Sequence, residues 1–224
     1  MVNGPDLSQG VGGNQMSNDA AANWRIVCLI TLGAFLGLSV AAFATGLLPG
    51  DLVMRQELLE PMPGLAHQFA RLVNQAGTWR VLLPATLLLF LLSRAARRHW
   101  WLWCAVLVGS SVIEHGFKFL VGRPRPSGFS LGFPSGHSTA AATFAVVLLY
   151  IVTRERLTRT QRHAIQALAI VVMVLVGWAR IALHAHWPTD VLGGFLLGAG
   201  CAAAGAWWES ARLDAAPGTA APRT

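Results

Sequence analysis

Six stretches of the chain are almost wholly apolar, at about 25–48, 79–93, 100–117, 136–153, 164–184 and 190–208, with polar breaks between them. Most approach or exceed the roughly 18 residues that a helix needs to cross a bilayer. The second is short and holds Pro84, so it is recommended mainly by the topology it completes. Trp24, Trp79, Trp100, Trp101, Trp187, Trp207 and Trp208 fall at the ends of these stretches, where interfacial aromatics sit. The pattern predicts an all-α, polytopic membrane protein with six transmembrane helices in one domain over 23–211. Residues 1–22 and 212–224 show no apolar period and are rich in small and polar residues, which predicts disordered tails. Between the first two spans, Leu65, Ala66, Phe69, Leu72 and Val73 recur at helical spacing. They predict a short amphipathic outer helix, lying on the leaflet or packing over the bundle.

Composition agrees with this reading. The 224 residues are 54% hydrophobic and only 12% charged, whereas a soluble domain carries about 25% charged residues. The net charge of +7 would suit a nucleic-acid partner if it formed one patch. Instead the arginines stand in short clusters between apolar spans, which sets membrane orientation and argues against nucleic acid. Residues 94–99 read RAARRH and residues 153–163 read TRERLTRTQRH. Two spans separate them, so they share one side, which the charge rule makes the cytoplasm. Both termini then lie inside, and the loops 49–78, 118–135 and 185–189 lie outside. Cys28, Cys104 and Cys201 are far apart within apolar spans and read as small buried residues.

One outer loop opposes the charge rule. Residues 118–135 carry Lys118, the only lysine of the chain, with Arg123 and Arg125 and no acid. Such cations either touch lipid phosphates at the interface or bind a specific anion. A second polar group, WARIALHAHWPTD, closes the fifth span and opens the sixth. It holds Arg180, His184, His186 and Asp190, and the topology puts it on the same face. Three or four cations there make a pocket for a multiply charged oxyanion. Pro134, Ser135 and Gly136 sit where the fourth span begins, and free N–H groups at a helix start cradle phosphate oxygens. Two histidines add chemistry, one to attack phosphorus and one to protonate a leaving oxygen. Asp190, four residues after His186, can hold one ring nitrogen as N–H and leave the other as nucleophile. His137, His184, His186 and Asp190 are also plausible metal ligands, but Lys118, Arg125 and Arg180 would repel a divalent ion.

Lys118, six residues, Arg125-Pro126; then Pro134-Ser135-Gly136-His137; then Arg180, five residues, His186, three residues, Asp190. In this order and spacing the chain resembles the type 2 phosphatidic acid phosphatase superfamily. The resemblance implies that His186 is the nucleophile and forms a phosphohistidine, that His137 is the general acid, and that Asp190 orients His186. It implies phosphate binding by Lys118, Arg125, Ser135, Gly136 and Arg180, with no metal and no cofactor. Ala179 stands where members often have Ser, which removes one hydroxyl contact. Arg123, His184 and Glu114 are further candidates. Arg123 could add a phosphate contact, His184 is a neighbour rather than the nucleophile, and Glu114 positions or balances Lys118 from one turn away.

Little of the chain projects beyond the bilayer, so the expected partner is a membrane lipid phosphate that stays in its leaflet. Phosphatidic acid, phosphatidylglycerol phosphate and a polyprenyl pyrophosphate all qualify, and the resemblance leans toward the bacterial cell membrane. A transporter would place such residues near the bilayer midplane rather than at one face. An inactive relative that binds or carries lipid phosphate is the alternative.

Overall fold

Helix α1 (Ser8–Thr45) runs antiparallel to the last helix, α9 (Pro188–Ala215), and packs along its length. The structure, a computed structural model, describes residues 8–59 and 64–215. Between α1 and α9 come α2 (Asp51–Leu59), α3 (Gly64–Gln75), α4 (Trp79–Leu92), α5 (Arg94–Arg98), α6 (Trp100–Val121), α7 (Gly136–Arg154) and α8 (Arg159–Ala182). A two-stranded antiparallel ribbon, β1 (Pro124–Arg125) and β2 (Gly128–Leu131), lies in the loop before α7. The protein is an all-α integral membrane protein: among the described residues, five helices are long and apolar enough to cross a bilayer.

The sixth crossing is a bent one. Helix α4 has 14 residues, about 21 Å, which falls short of a hydrocarbon core of about 30 Å. It meets α3 at a 50° bend, and the two together pass as one span. Counted as one span, the bent pair makes the amphipathic outer helix the first half of the second crossing. Ala70 of α3 is fully buried beside Ala179 and Ala182 of α8, while Leu65 and Leu72 face outward.

The terminal segments differ from expectation. Residues 8–22 are helical, because α1 continues through them, and α9 continues to Ala215. A helix already nucleated in a bilayer extends at little cost through residues such as Ala20–Ala22. The expected tails at 1–7 and 216–224 lie outside the described residues. Local chemistry shifts another boundary: Thr158 and Gln161 form a capping box that starts α8 at Arg159, before the apolar stretch begins. Helix α2 and the ribbon were not expected at all.

Helix α7 is the centre of the bundle, packed by α6, α8 and α9. Its contact with α9 is close enough to need glycine. A Cβ on Gly198 would lie 2.4 Å from the carbonyl oxygen of Thr139, so any other residue there would force the helices apart. One apolar cluster, around Trp103, Tyr150, Ile151 and Ala206, fills the end that carries the basic loops. Another joins Phe35, Phe133 and Leu197 beneath the other end, with Phe117 beside them. Phe133 is wholly buried and its ring lies parallel to that of Phe35 at 6.0 Å. This contact anchors the loop that leads into Pro134 and α7.

Candidate active site

The loop 118–135, the start of α7 and the α8–α9 turn meet at one end of the bundle, as the topology required. They surround a cavity of about 310 Å³ lined by Ser111, Glu114, His115, Lys118, Arg125, Gly136, His137, Arg180 and His186. Lys118 and Arg125 come from either side of the α6 end, His137 from the first turn of α7, and Arg180 from the last turns of α8. Three cations thus face one carboxylate, Glu114, which is buried and pairs with Lys118 one turn on. The remaining positive charge in a partly dehydrated cavity favours an oxyanion.

The two arginines are aimed by neutral groups and the lysine by Glu114. Arg180 donates from Nη1 to Oδ1 of Asn74 in α3 at 2.6 Å, and its Nε is buried without a partner among the described residues. Arg125 donates from Nε to the carbonyl of Leu131 across the ribbon at 3.3 Å. Gly136 lies against the Glu114–Lys118 pair: a Cβ there would be 2.9 Å from Glu114 Oε1 and 3.3 Å from Lys118 Nζ. Glycine therefore keeps the floor of the cavity open.

His186 sits in the short turn between α8 and α9, 1% exposed. Burial pushes its pKa down to about 4; Arg180 and Arg125 act in the same direction and Asp190 opposes them. The ring is therefore neutral at pH 7, with a lone pair available. Its Nδ1 lies 3.5 Å from Oδ2 of Asp190. That is longer than a hydrogen bond, and Nδ1 has no other partner among the described residues. Such pairs often tighten only when a ligand fills the site.

Asp190 is held from several sides. Its Oδ2 accepts from the Trp187 backbone N–H at 2.9 Å, which caps the start of α9 where Pro188 opens the helix. Its Oδ1 accepts from Arg123 Nη1 at 2.8 Å. Its backbone carbonyl accepts from the Ser135 N–H at 2.9 Å, which ties the two motif loops together.

Two expected residues therefore stand elsewhere than anticipated. Ser135 is fully buried behind Gly136: its N–H is committed to Asp190, and its hydroxyl accepts from Ser138 at 2.9 Å. It holds the cradle rather than lining it. Arg123 is also buried, and it faces Asp190, Thr189 and Asp51 instead of the cavity. No contact from Arg123 to a phosphate in the cavity is available while those partners hold it. His184 is exposed, takes a φ of 54° in the turn, and meets Arg55 Nη2 at 2.7 Å on the outer surface. His186, not His184, enters the cavity. Among the described residues no group of three His, Cys, Asp or Glu side chains is placed to hold a metal ion.

Asp51 and Asn74 were not anticipated. Asp51 opens α2, is 1% exposed, and accepts from the Thr189 N–H at 3.1 Å and from the Thr189 hydroxyl at 2.9 Å. It also pairs with Arg123 Nη2, so a buried row runs Asp51, Arg123, Asp190, His186. In the sequence, Asp51 after Pro49-Gly50 reads as nothing more than a helix-start acid.

Known proteins resemble this chain in sequence and in fold. Over 70 residues, 31% of this chain and 34% of the other, the chain is 41% identical to phosphatidylglycerophosphatase B of Bacillus subtilis. Over 75 residues, 34% of this chain and 31% of the other, it is 37% identical to an undecaprenyl-diphosphatase of Sulfolobus acidocaldarius. The chain thus aligns with about a third of the length of these curated relatives. The crystal structure of the transmembrane PAP2-type phosphatidylglycerolphosphate phosphatase from Bacillus subtilis shares the fold. Its TM-score is 0.71 at 24% identity, over 84% of this chain and 95% of that one. Lys118 and Arg125 precede the segment that matches the family model, whereas His137, Arg180, His186 and Asp190 lie within it. That segment is residues 127–214, and the family model it matches is described as the PAP2 superfamily.

Proposed function

We propose that the protein is an integral-membrane, metal-independent phosphatase that releases the terminal phosphate of a lipid phosphate monoester or diphosphate. One observation carries the choice of a lipid. The polar cavity shares Ser111 and His115 with an apolar groove of about 640 Å³ between α4 and α6, lined among others by Trp79, Leu83, Leu107 and Val112. A phosphate in the cavity would leave its hydrocarbon chain in a groove that opens to the bilayer. The named relatives act on a glycerophospholipid phosphate and on a polyprenyl diphosphate. Both substrates end in a phosphate joined to an apolar tail.

In this mechanism Lys118, Arg125 and Arg180 bind the phosphoryl oxygens, together with the backbone at Gly136. His186 attacks phosphorus, the P–N bond forms, the P–O bond to the lipid breaks, and His137 gives its proton to the departing oxygen. Water then attacks the phosphohistidine with His137 as base, and inorganic phosphate and free His186 result. Asp190 holds the imidazole in orientation and stabilises the positive charge it acquires. Arg123 and Asp51 hold Asp190. The cations neutralise the equatorial oxygens in both steps.

The test is hydrolysis of a panel of lipid phosphates by purified protein in detergent with EDTA present. Phosphate release should survive chelation. At limiting substrate, ionisation of His186 should not reduce kcat/KM at pH 5, because burial holds its pKa down to about 4 in the free enzyme. A nucleophilic histidine of ordinary pKa, about 6.5, would be about 97% protonated there and about thirtyfold slower. Dependence on added divalent metal, or binding of lipid phosphate with no release, would overturn the reading.

The same proposal places the cavity on the extracytoplasmic face of the cell membrane. Glu155 accepts from Ser93 at 2.5 Å, which joins the two arginine-rich loops at the end opposite the cavity. The positive-inside bias makes that end cytoplasmic. A Ser127→Cys variant should react with a membrane-impermeant maleimide in intact cells. Reaction only after permeabilisation would reverse the orientation.

A further inference from the structure

At the opposite end of α7, about 28 Å from the catalytic cavity by the length of that helix, lies a second polar cavity. Its volume is about 660 Å³, and Arg94, Arg98, Arg154, Arg156, Glu155 and Glu209 line it. The arginines come from two separate segments, α5 and the α7 end, and the last turns of α9 close the wall. The positive-inside bias accounts for arginines in these loops, but not for their gathering around one hollow. Like charges so placed repel each other unless something negative enters.

The carboxylates offset only part of that charge. Glu155 accepts from the Ser93 hydroxyl at 2.5 Å and from the Ala95 N–H at 2.9 Å; these bonds, and after them the charge of Arg94, hold its pKa below the usual carboxylate range. Glu209 is 3% exposed and is paired with His99 Nδ1 at 2.6 Å. Among the described residues, none of the four arginines has a carboxylate within ion-pair distance. Arg154 is instead steadied by neutral groups: it donates to Ser210 Oγ at 2.9 Å and lies 5.0 Å over the Tyr150 ring.

The depth of this cavity suggests its occupant. Exposed Trp100 and Trp101 follow α5 directly, and Arg212 stacks 4.5 Å over Trp208 on the neighbouring turn of α9. These are the aromatics of a membrane interface. The hollow therefore opens at the level of lipid headgroups, beside the lipid-facing Leu91 and Leu92. It has about twice the volume of the catalytic cavity, and no histidine lines it to serve as a nucleophile.

We infer that this cavity is a binding site for a phosphate ester the size of an anionic glycerophospholipid headgroup, separate from the catalytic cavity and without chemistry of its own. Arg94 and Arg98, one helical turn apart, and Arg156 across the hollow supply guanidinium donors suited to phosphate oxygens. Lipid held there would brace the short α5 helix against the ends of α7 and α9.

Native mass spectrometry of the full chain in detergent tests this, with titrations of phosphatidylglycerol and, separately, phosphatidylcholine. The wild-type protein should retain one phosphatidylglycerol more than the R94Q/R98Q/R156Q variant, and phosphatidylcholine should not distinguish the two. At about fivefold per arginine, the triple variant should bind phosphatidylglycerol about a hundredfold more weakly at this site. The R94K/R98K/R156K variant keeps the charge and guards against loss of fold; its affinity should fall between the two. Equal phosphatidylglycerol retention by all three proteins, or equal retention of the two lipids by wild type, overturns the site. Competition with sn-glycerol 3-phosphate then names the source. Displacement makes the occupant a soluble ester, and persistence makes it the lipid headgroup.

Discussion

Replacing His186 by alanine is expected to lower kcat for phosphate release by about 10⁴-fold or more, the scale on which loss of a nucleophile is felt. The expectation rests on position. His186 is the buried imidazole of the α8–α9 turn that lines the cavity, and it is the one beside Asp190. His184, two residues earlier, is exposed and engaged with Arg55 on the outer surface, so His184→Ala should leave kcat within about threefold of wild type, as surface changes usually do. Rapid quenching with phosphate-labelled lipid should trap an acid-labile phosphoprotein in the wild type and none in His186→Ala. His137→Ala should slow both formation and breakdown of that adduct, because one group serves both proton transfers. A His186→Ala protein that still turns over at the wild-type rate would remove this histidine from the mechanism. Equal losses in the two variants at 184 and 186 would point to damage of the turn.

The sequence made the larger architecture readable because its signals are local. Uninterrupted apolar runs identify spans, and arginines at 94–99 and 153–163 identify a shared end. From those two facts Lys118, Arg125, Gly136, His137, Arg180 and His186 could be brought to one face, and they line one cavity. What escaped is what depends on a partner distant in the chain. Asn74 reads as an ordinary helix residue until α3 folds against α8 and offers its amide to Arg180. Ser135 reads as an anion cradle until its N–H is seen to bond Asp190 across 55 positions. Arg123 reads as an additional candidate for phosphate because its charge is visible in the sequence and its two carboxylate partners are not. The start of α8 was missed for a different reason. Thr158 and Gln161 form a polar cap, and hydrophobicity has no means of registering it.

Asp51→Asn is expected to reduce kcat by about tenfold to a hundredfold while KM stays within about threefold, by analogy with outer-shell partners of reactive groups. Arg123 stands between Asp51 and Asp190, with one guanidinium nitrogen on each. With both acids ionised the trio carries one net negative charge, and Asp190 can attract the imidazolium character that His186 gains on attack. Neutralising Asp51 leaves the full charge of Arg123 to Asp190, so the carboxylate is drawn from the imidazole, already at 3.5 Å, and its field is cancelled. The substrate phosphate never touches Asp51, which is why KM should barely move. Asp51 also accepts two bonds from Thr189 at the start of α9, so some loss of Tm is expected, about 1–3 kcal/mol in stability for a buried hydrogen-bond partner. Structural damage alone would lower the amount of active protein and leave the kcat of the folded fraction intact. Normalising turnover to the folded fraction recovered by size-exclusion chromatography separates the two. Slow turnover per folded protein establishes Asp51 as a positioning residue, whereas normal turnover per folded protein would show that it only holds α2 to α9. Arg123→Ala gives the complementary result: with its cation gone, Asp51 and Asp190 would be left buried without a counterion, at a cost of about 3–5 kcal/mol, so that variant should fail to fold where Asp51→Asn folds and turns over slowly.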